Sequence, residues 1–179
     1  MFDIACGYGE GVQIWDIRQS SRPLLTNTEY TSPVTALSYC SDNKNVLLLG
    51  GGRFDNRDIL AWDSRTGSTI AKYAGMSQVS NLFWYDSNHC ISTCNEPANQ
   101  IAISEVNRRT GKIEILNSTT YHNSRIPYAA QNPNDKSNFV TVSNHERLCF
   151  WHLKNPEAKK RRQADKEKEN KSSFLMTLR

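Results

Sequence analysis

Short stretches in which apolar and polar residues alternate recur along the chain and are clearest in its second quarter. Val34–Tyr39 alternates in this way, which predicts a half-buried strand, because successive side chains of a strand point to opposite faces. Residues 46–49 are all apolar, which predicts a strand buried on both faces. Residues 59–62 and 69–73 follow, separated by turns rich in Gly, Asp and Ser. The pattern therefore predicts a unit of four short strands.

The same order of strands and turns appears in successive copies along the chain. The third copy has strand patterns at residues 79–84, 90–94, 100–106 and 112–116, and the fourth has them at 126–131, 139–143 and 147–153. The fourth copy lacks a final strand. The first copy opens with its second strand, at residues 2–6. The chain therefore holds about three and a half copies of the unit.

A tryptophan marks the same strand in three of the copies. Trp15, Trp62 and Trp151 stand at this position, and Ser104 occupies it in the third copy. The four positions are 47, 42 and 47 residues apart, close to the roughly 40 to 45 residues of a WD-type repeat. We therefore predict an all-β fold: a partial WD-repeat β-propeller over residues 1–153, followed by a basic, partly helical or disordered tail over residues 154–179.

An open arc of such blades exposes apolar faces at both ends, whereas a propeller removes its edges by closing into a ring of about four to eight blades. We therefore expect the chain to be the C-terminal part of a longer protein. The alternatives are a truncated gene model or relic, or a ring completed by another chain.

The positive charge of the chain is concentrated in its tail. The formal net charge is +4, and residues 154–171 carry eight basic and four acidic residues. A near-neutral propeller argues against binding nucleic acid by its faces. The tail contains a candidate nuclear localisation patch at Lys159, Lys160, Arg161 and Arg162. The alternative for this charge run is a solvated helix with pairs of opposite charge one turn apart. We expect the protein in the nucleus and cytoplasm.

The sequence offers little chemistry for catalysis. The five cysteines are scattered through predicted strands, which argues against a disulfide frame or a zinc site. The four histidines show no repeated spacing to Asp, Glu or Cys. The oxygen-rich loop around Asp55 lacks the downstream Glu of a calcium loop and is read as a polar connection. We expect neither an enzyme nor a bound cofactor or metal, and no apolar run is long enough to span a membrane.

Several segments together resemble one branch of the WD-repeat proteins. They are Leu49-Gly50-Gly51-Gly52 before a Trp strand, Ser77-Gln78-Val79-Ser80-Asn81-Leu82, Asn99-Gln100-Ile101, Ser124-Arg125-Ile126, the strand from Glu146 to Trp151, and a tail running from Arg161-Arg162 to Leu178-Arg179. This combination resembles the Fizzy and Fizzy-related activators of the anaphase-promoting complex. The resemblance implies a propeller of about seven blades that recruits short degrons to a ubiquitin ligase without catalysing bond formation.

The resemblance also implies roles for particular residues. Gln78 and Arg125 match rim positions that bind a Lys-Glu-Asn degron, and Arg53 stands where relatives have Thr in the degron pocket. Glu146 matches the carboxylate that receives the arginine of a destruction box. Leu178 and Arg179 match the Ile-Arg terminus that docks into a helical-repeat subunit of the ligase.

The alternatives without a binding role are that Gln78, Arg125 and Glu146 are ordinary polar turn residues and that the terminus is frayed. A non-catalytic WD-repeat scaffold and a metal-assisted propeller hydrolase are the competing functions. Arg53, Ser104 and His145 depart from the family pattern, which suggests a specialised fungal and meiotic member. Lys168-Glu169-Asn170 is itself a degron-like sequence, although a segment so rich in Lys, Glu and Asn can contain it by chance.

Overall fold

The computed structural model describes residues 3–9, 11–19, 21–52 and 57–154, together with the backbone of residues 175–178. These residues form strands, turns and irregular segments, with no helix among them. The strands are β1 (Asp3–Tyr8), β2 (Gly11–Asp16), β3 (Leu25–Asn27), β4 (Val34–Tyr39), β5 (Val46–Gly51), β6 (Ile59–Asp63), β7 (Ser68–Tyr73), β8 (Val79–Trp84), β9 (His89–Cys94), β10 (Ile101–Asn107), β11 (Lys112–Thr119), β12 (Tyr128–Gln131), β13 (Asn138–Ser143), β14 (Arg147–Lys154) and β15 (Leu175–Leu178).

The strands assemble into four consecutive antiparallel blades. The first blade has three strands, β1 to β3, and the next three have four strands each, β4–β7, β8–β11 and β12–β15. The second and third blades count as one eight-stranded sheet only because their outer strands meet at one parallel bridge, between Lys72 and Lys112. The predicted partial β-propeller is confirmed, and among the described residues the first blade opens with β1, as its predicted second strand.

The last blade differs from the prediction. Its fourth strand was expected to be absent, but β15 pairs antiparallel with β14 and supplies it, with Leu178 opposite Trp151. The prediction was wrong because the position of a four-residue strand is decided by the edge it pairs with rather than by its own pattern. β3 was also missed, since three residues are too few to show an alternation. The boundary of the tail at residue 154 stays a prediction.

The core is divided among the interfaces between neighbouring blades. Alternate residues of a central strand face opposite interfaces: in β6, Leu60 and Trp62 pack toward the first blade, while Ile59 and Ala61 pack toward the third. Both faces of the blade are thus covered, which is why residues 46–49 are all buried, as predicted. A fully buried aliphatic side chain of this kind stabilises the fold by about 1.5 to 3 kcal/mol.

Strand register identifies Ser104 as the counterpart of the repeated tryptophan. Trp62 lies opposite Leu47 and Ser104 lies opposite Cys90, each one residue into the neighbouring strand. The pairing with the outer strand slips just before both residues, between Ala61 and Trp62 and between Ile103 and Ser104. Ser104 therefore holds the tryptophan position, and its side chain is directed at the second blade as Trp62 is at the first.

Apolar side chains are exposed on the two outer faces of the arc, as expected for an open ring. Ile4 and Tyr8 are exposed on the first blade, and Tyr128, Leu148 and Phe150 are exposed on the fourth. Trp15 is half-buried because it faces outward from the first blade. These are the faces that neighbouring blades cover in the interior of the arc.

Candidate functional site

The loops that join the second and third strands of each blade lie at the same end of the arc as the residues that enter each first strand. In the third blade, Val79 lies opposite Cys94, and Ile101 lies opposite Thr93 and Thr119, so these ends coincide. We call this end the rim. Its described residues come from the segments around Pro33, Gly52, Gln78, Arg125, 95–100 and 144–146.

One backbone hydrogen bond is repeated at the rim in three blades. The amide of Gly52 donates to the carbonyl of Pro33 at 3.1 Å, that of Asn95 to Gln78 at 2.8 Å, and that of Asn144 to Arg125 at 3.1 Å. Gln78 and Arg125 are therefore structurally equivalent residues of neighbouring blades. Each immediately precedes a buried apolar residue, Val79 or Ile126, which fixes the backbone beneath it.

Hydroxyl groups align the blades beneath the rim. The Thr35 hydroxyl donates to the carbonyl of Val79, and the equivalent Ser80 hydroxyl donates to the carbonyl of Ile126 at 2.7 Å. Each first strand is thus tied to the start of the next one by a side chain at the same position. This fixes the relative height of the rim residues in adjacent blades.

The side chains of Gln78 and Arg125 are linked through the loop between β9 and β10. Asn95 Nδ2 donates to Gln78 Oε1 at 3.4 Å, and Asn95 Oδ1 accepts from the Ile126 amide at 3.0 Å. The Arg125 guanidinium lies 3.6 Å from a Glu96 carboxylate oxygen, and both groups are largely exposed. An exposed ion pair contributes only about 0.2 to 1 kcal/mol, so either partner can turn to a ligand at little cost.

Glu146 lies on the same rim, in the turn between β13 and β14. The turn also carries Asn144, whose amide binds the Arg125 carbonyl, so Glu146 and Arg125 belong to one stretch of surface. Glu146 is exposed and has a φ of 57°, in the left-handed region that costs a non-glycine residue about 1 to 2 kcal/mol. Its backbone amide donates a hydrogen bond to the Ser143 carbonyl at 3.1 Å.

The structure therefore brings Gln78, Arg125 and Glu146 to one rim. Arg53 lies outside the described residues, which resume with Arg57 and Asp58 at the rim. Arg179 and the predicted localisation patch, residues 159–162, also lie outside them. Leu178 is described only as the last residue of β15. Asn95 and Glu96 were not predicted as site residues, and their only signal in the sequence is an Asn-Glu-Pro turn between two predicted strands.

The described residues contain no group of three His, Cys, Asp or Glu side chains placed to hold a metal ion. Burial raises the pKa of the Cys90 thiol to about 12 and that of Cys94 to about 11, so both stay protonated near neutral pH. Both contact the core cluster between the second and third blades. They act as small core residues there. No helix in the described part of the chain has the length and apolarity to cross a bilayer.

No protein-family model matches the chain. The chain is 32% identical over 154 residues to the WD repeat-containing protein slp1 of Schizosaccharomyces pombe, covering 81% of this chain and 30% of that protein. It is 30% identical over 169 residues to the APC/C activator protein CDC20 of Saccharomyces cerevisiae, covering 89% and 27%. It is also 30% identical over 154 residues to the Meiotic fizzy-related protein 1 of Schizosaccharomyces pombe, covering 86% and 35%.

A chain in the crystal structure of the mitotic checkpoint complex superposes on this fold with a TM-score of 0.77 and 30% sequence identity. The match covers 84% of this chain and 45% of that one. The chain thus spans between 27% and 35% of the length of these three relatives.

Proposed function

We propose a function on the premise that the chain is a homologue of the Fizzy and Fizzy-related proteins, the WD-repeat activators of the anaphase-promoting complex. It serves as a substrate-recognition and activator subunit of that ubiquitin ligase. It binds degron peptides at the rim and catalyses no bond formation itself. Its similarity to a meiotic relative supports a role in meiosis. It acts in the nucleus and the cytoplasm, and the basic patch at residues 159–162 serves as its nuclear localisation signal.

The observation that carries the proposal is the link between Gln78 and Arg125 through Asn95 and Glu96. A Lys-Glu-Asn peptide presents an ammonium, a carboxylate and an amide. Arg125 offers a planar fork that binds a carboxylate with two parallel hydrogen bonds. Gln78 offers a donor and an acceptor for the amide, and Glu96 offers a carboxylate for the lysine once Arg125 engages the peptide.

Glu146 supplies a separate contact in the proposal. An exposed carboxylate on a turn suits the guanidinium of a destruction box, which binds carboxylates through a charge-assisted pair. Arg53 belongs to the same proposal as a residue that alters degron preference, because a cation there favours an acidic neighbour in the peptide.

Docking to the ligase is assigned to Leu178 and Arg179, which would enter a helical-repeat groove. Leu178 pairs with Trp151 across β15 and β14 in this structure, so docking of the terminus requires β15 to leave the edge of β14. A strand of four residues on a sheet edge is weakly held. The exchange is therefore compatible with recruitment of the ligase.

The test of the degron site is fluorescence anisotropy with a labelled Lys-Glu-Asn peptide. We expect Arg125→Gln to weaken binding at least tenfold, because a hydrogen bond to a charged group is worth about 1.5 to 3 kcal/mol. Arg108→Gln is the matched control. Arg108 is an exposed arginine at the opposite end of the third blade, where it donates to the Ser87 carbonyl at 2.9 Å. Equal affinity of both variants for the peptide removes Arg125 from the site.

Two further variants separate the other contacts. Glu146→Arg should weaken a destruction-box peptide and leave the Lys-Glu-Asn peptide unaffected, because the two contacts use different residues. A chain lacking Leu178 and Arg179 should lose the ligase in a pull-down while retaining both peptides. A scaffold without degron selection gives the opposite pattern. It binds neither peptide, and the truncated chain still pulls down its partner proteins.

A further inference from the structure

The replacement of a tryptophan by Ser104 leaves an open space between the second and third blades. Ser104 is 2% exposed and faces the second blade beside Ala102. A cleft of about 180 Å³ lies over both residues. For comparison, an engineered apolar cavity of roughly 150 Å³ takes up benzene. The cleft therefore has the volume for an aromatic ring or a branched aliphatic group.

The lining of the cleft is mostly apolar and comes from both blades. The second blade contributes Ile59 and Tyr73, and the third contributes Val79, Cys94 and Ile115. The outer strands of the two blades are joined at one bridge, between Lys72 and Lys112. The cleft lies between these strands on the rim side of the bridge, as the lining residues Tyr73 and Gly75 show.

The cleft reaches the rim beside the proposed peptide site. Met76 and Ser77 line it and directly precede Gln78. Met76 is 83% exposed, which is unusual for a side chain of this kind and places a flexible apolar group at the opening. Each residue of an extended peptide advances the chain by about 3.3 Å. Because Ser77 lines the cleft and is adjacent to Gln78, a peptide held at Gln78 reaches the cleft within a few of its own residues.

Two buried polar atoms, one in a residue that lines the cleft and one in a residue next to the lining in sequence, have no hydrogen-bond partner among the described residues. They are Arg57 Nε, whose residue lines the cleft, and the side-chain oxygen of Asn99, which stands between the lining residues Ala98 and Gln100. One is a donor and the other an acceptor, which matches the carbonyl and amide of a peptide unit. Leaving such groups unpaired costs about 1 to 3 kcal/mol each.

We propose that this cleft binds an aromatic or branched apolar side chain of a peptide that crosses the rim at Gln78. The identity of the peptide as a degron rests on the proposed function, whereas the capacity of the cleft to take such a side chain does not. Ser104 is then a specificity residue: where a tryptophan closes the equivalent interfaces, its absence opens a site for a side chain from another molecule.

The first experiment tests the cleft alone with indole, the ring that the repeat lacks at this position. The melting temperature of the whole chain is measured with indole at five times its Kd. We expect a rise of roughly 2 to 4 °C. The rise should persist in Ser104→Ala, which leaves the space open. The rise should vanish in Ser104→Trp and in Ala102→Leu. The second variant fills the space with an aliphatic side chain, so the test does not depend on whether an indole ring fits there. No rise in the unchanged chain overturns the proposal.

The second experiment uses labelled Lys-Glu-Asn peptides with one tryptophan placed at each of five positions on either side of the motif, and alanine as the control. We expect at least one placement to bind about tenfold more tightly than alanine, with the gain lost in Ser104→Trp and Ala102→Leu. A gain that survives both filled variants, or no gain at any placement, overturns the anchoring of a peptide. If no peptide binds at all, the proposed function is wrong. The indole result then still shows whether the cleft can bind an aromatic ring.

Discussion

Replacing Trp62 by Ser would create in the second blade the gap that the third blade has naturally. Trp62 is fully buried in the interface with the first blade, against Leu47, Leu49 and Leu60. A buried aromatic side chain removes roughly 150 to 250 Å² from water. At roughly 25 cal/mol per Å² this corresponds to about 4 to 6 kcal/mol, and measured losses for Phe or Trp truncation are about 3 to 5 kcal/mol. We expect a loss of about 4 kcal/mol, a large share of the stability of a typical domain.

Trp15→Ser is the matched control, because Trp15 holds the equivalent position on the outward face of the first blade. It is half-buried, and its indole nitrogen donates to Gln13 at 3.2 Å. We expect a loss of about 1 kcal/mol or less. Urea unfolding followed by far-UV circular dichroism measures both. With a slope of about 2 kcal/mol/M, Trp62→Ser should lower the midpoint by about 2 M without changing the slope. Equal losses in the two variants would refute the assignment of the cores to blade interfaces.

The indole nitrogens give a finer test of the same interfaces. Trp151 Nε1 donates to the Thr141 hydroxyl at 2.8 Å, whereas Trp62 Nε1 is buried without a partner among the described residues. Phenylalanine keeps most of the ring in both places but removes the N–H. Trp151→Phe should therefore cost about 1 kcal/mol more than Trp62→Phe, because it breaks a hydrogen bond and Trp62→Phe does not.

Three other substitutions test the rim and the core. Glu146→Gly should raise the unfolding free energy by about 1 kcal/mol in the urea assay, because glycine accepts the positive φ without strain, while Glu146→Ala should give no such gain. Gly51→Ala should cost about 1 to 3 kcal/mol, since the added Cβ meets the Pro33 carbonyl. Burial lowers the pKa of His122 below its usual 6.5, so stability should be full above about pH 6.5 and fall as the pH drops through the lowered pKa. In His122→Gln that part of the pH dependence should disappear, and its persistence would mean that another group titrates.

The repeat could be predicted from the sequence because most of its strands carry a pattern of their own, either alternating or wholly apolar. Val34–Tyr39 and Val79–Trp84 have the bounds that their patterns predicted. The equivalence of Ser104 with the tryptophans followed from spacing and is confirmed by strand register. The rim was harder to predict, because the link from Gln78 to Arg125 passes through Asn95, a residue of a third segment. Contacts between segments leave no periodic trace in a single sequence.

The same distinction explains why β15 could not be predicted and why it matters. Residues 175–178 carry no alternation that favours a strand, so their pairing depends on the open edge that β14 presents. An edge of this kind accepts any extended segment, since the backbone groups supply the hydrogen bonds. In the docking that we propose, Leu178 would leave the edge of β14 to enter a groove of the ligase, so the paired state and the docked state would exclude each other. Under that proposal, any gain in the stability of β15 would lower the affinity of the terminus for the ligase by the same free energy.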